Sequence, residues 1–92
     1  MNQDQAEVVA LRALAWIAGD DDLLPRLAEA TGAGPDDFRV RAGDPAFLAG
    51  ILGFLLTEDR WVQGFCDAEG LPYEAPLRAL AALPGGRHES WP

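Results

Sequence analysis

The side chains that could make or break bonds are few, and their placement suits none of the common mechanisms. Hydroxyls occur only at Thr31, Thr57, Tyr73 and Ser90, and the single imidazole is His88. A hydroxyl or thiol nucleophile needs a base within hydrogen-bond reach and a third group to orient that base. Both threonines fall at predicted helix ends, while Ser90 and His88 fall in a predicted C-terminal tail. Cys66 is the only cysteine, which excludes an intramolecular disulfide and a cysteine metal cluster within one chain. Its spacing from Val62 and Phe65 places it on an inward helical stripe, as a small buried hydrophobe rather than an activated thiolate. All seven basic residues are arginine, so lysine Schiff bases and lysine-dependent phosphate loops are excluded. No Gly-x-Gly-x-x-Gly pattern is present.

Carboxylates remain. Asp20-Asp21-Asp22 and Asp36-Asp37 offer clustered oxygens of the kind a hard cation takes. A calcium loop, however, needs acids at alternate positions and a distant bidentate glutamate, and neither occurs. Both clusters stand where helices begin, so capping and favourable contact with the positive helix end account for them. No catalytic, cofactor-binding or metal-binding residue is assigned, and the chain is read as a protein that is not an enzyme.

The elements that would position a site are predicted to be helices. The chain has 92 residues, 49% of them apolar, and only four valines, two isoleucines and two threonines, with no alternating β-branched run. Asp4 to Glu7 has capping-box spacing. Apolar residues then recur at Val8, Leu11, Leu14, Ala15 and Ala18 until Gly19, the stripe expected to meet the core. A second helix starts at Asp21 or Asp22 and ends at Gly32; a third opens at Gly34-Pro35 and ends near Gly43. Asp44-Pro45 starts a fourth, in which Phe47, Leu48, Ile51, Leu52, Phe54, Leu55 and Leu56 surround the axis. That predicts a central helix buried on all sides, with Gly50 and Gly53 admitting another backbone. Thr57 is expected to cap a fifth helix ending at Gly70, and a sixth begins near Tyr73 and carries Leu77, Leu80 and Leu83. The segment Leu23–Gly32 is echoed at Trp61–Gly70, suggesting two stacked helix-turn-helix units. The fold expected is therefore all-α: a compact bundle of five or six helices around a central apolar one. Residues 1–84 form a single domain and 85–92 a flexible tail.

This order of residues resembles domain-of-unknown-function family 3572. The likeness is carried by Ala10-Leu11-Arg12-Ala13-Leu14-Ala15, Arg26-Leu27, Thr31-Gly32, Gly43-Asp44-Pro45-x-Phe47-Leu48, Phe54-Leu55-Leu56, and Phe65 with Gly70-Leu71. The resemblance implies a small helical alphaproteobacterial protein and brings no activity and no site residue with it.

Charge and hydropathy bound the partners. Fifteen acids against seven arginines leave a net charge of −8, a poor footing for nucleic acid or an anionic membrane. The longest apolar run, Ala46 to Leu56, has 11 residues, against about 20 for a membrane span. With no basic leader, a cytoplasmic protein is expected, monomeric or weakly dimeric, without cofactor. On a helical wheel Val9 and Trp16 share a second apolar stripe opposite Leu11. Either both stripes face core or Val9 and Trp16 form a patch for a partner or a second subunit, the favoured partner being another protein with a basic rim around an apolar anchor. Trp91, in the predicted tail, is the second candidate. The function expected is a protein–protein interaction module or regulator. The alternative, an acidic decoy for a nucleic-acid-binding site, requires carboxylates ranked along one face, whereas these gather at helix starts.

Overall fold

The computed structural model describes residues 1–84, and they form six helices and, among the described residues, no strand: α1 (Gln3–Ala18), α2 (Leu23–Thr31), α3 (Pro35–Arg41), α4 (Pro45–Leu55), α5 (Asp59–Glu69) and α6 (Ala75–Ala82). Trp91, His88, Ser90 and the expected tail lie outside the described residues.

Local chemistry explains most boundaries. Gly32 and Gly70 take the left-handed conformation, at φ 72° and 68°, and each N–H donates to the carbonyl four residues back, Ala28 and Cys66. Glycine adopts that geometry without a Cβ clash, so two helices stop where the sequence places a glycine. The Asp44 carboxylate accepts the Ala46 N–H at 3.0 Å and starts α4 as expected. Other caps differ. The box that opens α1 is Asn2 with Gln5, not Asp4 with Glu7: Asn2 Oδ1 accepts the Gln5 N–H at 2.8 Å while the Asn2 N–H donates to Gln5 Oε1 at 3.0 Å. Asp20 accepts the N–H groups of Asp22 and Leu23, so it, rather than its neighbours, caps α2. Thr57 caps nothing; its hydroxyl donates to the Phe54 carbonyl at 2.7 Å, closing α4, and α5 starts two residues later.

The core is built where α1, α4 and α6 pack on one another, with α2 against α1 and α4. α4 supplies Phe47, Leu48, Ile51, Leu52 and Leu55, all buried. It is not enclosed on every side, however. Ala46 and Gly50 are exposed, and Gly53 and Phe54 are half-buried. A Cβ built on Gly50 or Gly53 would meet nothing within 4 Å, so no other backbone among the described residues approaches them. A tight glycine contact occurs instead at Gly64, and with a side chain rather than a backbone: a Cβ there would stand 3.1 Å from Trp16 Cζ2.

Candidate functional site

α1 has two faces, and their roles are the reverse of those its large side chains suggest. The inward face is Ala6, Ala10, Ala13 and Ile17, all fully buried, with Val9 beside them at 6% exposure. Those residues stand four, three and four apart, and their small size lets α4 and α6 come close. The outward face is Asp4, Val8, Leu11, Ala15 and Ala18, at the same spacing and half a turn round. Val8 is 54% exposed and Leu11 42%. Of the stripe read as core, Val8, Leu11, Ala15 and Ala18 are thus open to solvent and Leu14 is partly buried against the core; of the stripe read as a possible patch, Val9 is closed and Trp16 half-buried.

Val9 therefore offers no surface. Trp16 is half-buried: its ring meets Phe65 edge-on, with centroids 6.0 Å apart, and lies over Gly64. It spans α1 and α5 and seals that side of the bundle. Val9 and Trp16 share a helix side, as the spacing implies, yet the two do not form a free apolar patch.

The outward face of α1 opens into a groove of about 450 Å³. One wall is Leu11, Leu14 and Ala18; Leu24 of α2 and Phe38 and Arg39 of α3 complete it. Val8, one turn before Leu11, prolongs the apolar wall. α3 is placed by its own first turn, where the Gly34 N–H donates to the Asp37 carboxylate at 3.0 Å, and by Phe38, whose ring packs 5.9 Å from that of Phe47. Scattered exposed hydrophobics such as Val40 and Leu77 are ordinary. A contiguous apolar wall running into a groove is not.

Charge is arranged around this groove. Asp4 lies on the outward stripe at its N-terminal end, with Glu7 alongside, and the exposed Asp21 and Asp22 follow its C-terminal end. Arg12 flanks the stripe, but Glu69 engages it: Arg12 Nε donates to Glu69 Oε1 at 2.7 Å and Nη2 to the Glu69 carbonyl at 3.3 Å. Arg39 is the cation that lines the groove, and among the described residues it forms no ion pair.

On the other side of α3 lies a second groove, of about 410 Å³, where Gly50, Gly53 and Phe54 of α4 face Thr31 and Arg41. The Arg41 guanidinium sits 4.5 Å above the Phe47 ring, and Phe54 stacks on Trp61 at 5.0 Å. The hydroxyls here are engaged, that of Thr31 donating to the Leu27 carbonyl at 2.9 Å and that of Thr57 to Phe54.

Among the described residues, the remaining reactive groups are quiet. Cys66 is buried, its Sγ–H pointing at the Pro72 carbonyl at 3.4 Å. Burial pushes its pKa up, and the carboxylates of Asp67 and Glu74 push it further the same way, so the thiol stays protonated and a poor nucleophile. The Tyr73 hydroxyl donates to Asp67 at 2.7 Å, a bond that raises its pKa as well.

Sequence reasoning missed Val8, Leu11, Leu24, Phe38 and Arg39 as a site. The signal within α1 was available in the alanine period at 6, 10 and 13; the α2 and α3 walls come together only in the tertiary structure. No curated protein and no solved structure matches the chain. Residues 3–86 match the family described as "Protein of unknown function (DUF3572)", and the chain belongs to that family.

Proposed function

We propose that this protein is an interaction module that binds another protein through the groove between α1 and α3, and that it carries no catalysis of its own. The observation that carries the reading is the exposure of Val8 and Leu11 on a stripe of α1 opposite its buried alanine face. Full burial of a Val or Leu side chain is worth about 1.5–3 kcal/mol, so covering the open half of each would return about 1 kcal/mol per residue. The fold is already closed on the other side of α1 and does not need this stripe for its core. The absence of catalysis is supported by the protonated, enclosed Cys66 and by the hydroxyls of Thr31 and Thr57, both bound to backbone carbonyls. Net charge −8 argues against a nucleic acid as partner.

Site-specific photo-crosslinking in the native cell tests this. A photoreactive residue at Leu11 or Ala15 should give one discrete protein adduct, and the same group at exposed Gln63 of α5 should not. The adduct should vanish on Val8→Ser with the reactive group retained at Ala15. No adduct at either groove position, or the same adducts from Gln63, would refute the reading.

A further inference from the structure

Resting on that reading, we propose that the occupant of the α1–α3 groove is an amphipathic helix of another protein, laid along α1 and carrying basic residues at both ends of its apolar seam. Two independent features lead there. The first is spacing. Asp4, Val8, Leu11, Ala15 and Ala18 follow one another at four, three, four and three residues, the repeat that a second helix matches when side chains of each fit between those of the other. An extended strand or a loop has no such period. α1 has 16 residues, about 24 Å of helix at 1.5 Å per residue, and the stripe runs most of that length. Ala15 and Ala18 let an incoming backbone approach closely at one end, while Val8 and Leu11 supply apolar area at the other. Leu24 and Phe38 form the wall that keeps the incomer beside α1.

The second feature is the sign of the charge at each end. Asp4 and Glu7 stand at the N-terminal end, Asp21 and Asp22 beyond the C-terminal end. None of the first three is paired with an arginine among the described residues, and Asp22 has only an exposed contact to Arg26 at 3.5 Å. A helix whose seam ended in Lys or Arg on both sides would meet opposite charge at each end. A second copy of this chain would not. Laid antiparallel, two α1 stripes set Asp4 of one against the Asp20–Asp22 turn of the other; laid parallel, they set Asp4 on Asp4. Each chain also brings a charge of −8. Arg39, on the far wall, adds one finer requirement: the incoming helix presents no basic residue facing it. Complementary ends speed encounter and fix orientation, while the apolar seam holds the complex.

Two synthetic helices of about 16 residues test this, both with leucine at four-three spacing, one ended by lysines and the other by glutamates. Each is titrated onto the full chain and followed by calorimetry at low and high salt. The lysine-ended peptide should bind one to one, about tenfold or more tighter than its glutamate-ended counterpart, and should weaken with salt. Val8→Ser with Leu11→Ser, which leaves the charge unaltered, should remove that binding, with circular dichroism confirming that the fold persists. Asp4→Asn should weaken it several-fold, and Arg39→Gln should not. Equal or tighter binding of the glutamate-ended peptide overturns the charge inference and leaves the groove standing. Undiminished binding by the double serine variant overturns the groove as well. No binding of either peptide overturns the helical occupant, while the crosslinking at Leu11 still judges the groove. Concentration-dependent dimerisation abolished by Leu11→Ser would show that a second copy takes the site, and would equally overturn the proposal.

Discussion

The two faces of α1 have the same period and opposite fates. Ala6, Ala10, Ala13 and Ile17 are enclosed; Val8, Leu11, Ala15 and Ala18 remain open in whole or in part. Side-chain size at Val8 and Leu11 points to the wrong face, because each outweighs the alanines that are enclosed opposite them. What decides is the distance between axes. α1 packs on both α4 and α6 through a face in which three of the enclosed residues are alanines, and close packing there gains dispersion contacts that larger residues would forfeit by holding the helices apart. α4 shows the same asymmetry from the other direction. Its large residues other than Phe54 are enclosed, and its small face, Ala46 with Gly50 and Gly53, borders a groove. Small residues therefore mark a close neighbour in one helix and open space in the other, and only the packing partner distinguishes them.

The widest separation between the faces of α1 should appear on truncation. Ile17→Ala removes fully buried atoms, and its expected cost is about 2–5 kcal/mol. Leu11→Ala, on the same helix, should cost under about 1 kcal/mol. Chemical denaturation of both variants checks this, and equal losses would break the comparison outright. Enlargement should separate the faces too. Ala10→Leu must push α4 or α6 away, at about 1–3 kcal/mol, whereas Ala15→Leu extends into solvent and should stay within about 0.5 kcal/mol of the parent. Thermal melts of the pair suffice, and a harmless Ala10→Leu would mean that the alanine face is not tightly packed.

α4 allows a third comparison. Its all-apolar sequence implies a fully enclosed Phe54, for which truncation costs about 3–5 kcal/mol. Half-buried and stacked on Trp61 at 5.0 Å, Phe54 should lose less, about 1–2 kcal/mol on conversion to alanine, part of it the ring pair itself. The stack also predicts a change in tryptophan fluorescence in the folded state. A loss above 3 kcal/mol would place Phe54 in the core after all.

How much could be read from the residues alone follows from the range of each signal. Helix ends written in one or two residues were legible: Gly32 and Gly70 because a left-handed cap wants no Cβ, Asp44 because its carboxylate reaches the Ala46 N–H, the first that the helix offers after Pro45. Caps with competing candidates nearby were not. Asn2 and Asp4 both offer an oxygen at the start of α1, and the Thr57 hydroxyl donates backward to the Phe54 carbonyl instead of accepting from the N–H groups ahead. The all-α bundle was legible because helical periodicity and turn punctuation agree along the chain. The groove was not, since it joins Leu11 to Phe38 and Leu24, residues whose proximity no local pattern encodes. The half-turn between Val9 and Leu11 was read correctly, but which half faces in was decided by α4 and α6.

The smallest expected effect is also the one with an unusual sign. Gly50 lies inside α4, where glycine costs about 1 kcal/mol relative to alanine because the unfolded chain has more freedom to lose. A fold that retains such a residue commonly does so because a Cβ would collide, as at Gly64, where it would meet Trp16 at 3.1 Å. At Gly50 nothing among the described residues outside its own helical turns stands within 4 Å. Gly50→Ala should therefore stabilise the protein, by about 0.5–1 kcal/mol, and raise the denaturation midpoint with an unchanged slope. Gly64→Ala gains the same helix propensity but must displace the Trp16 ring from Phe65, so its net effect should be smaller or reversed. If Gly50→Ala destabilises the chain instead, the groove beside α4 closes over that glycine in solution, and α4 regains the all-round burial that its sequence implies.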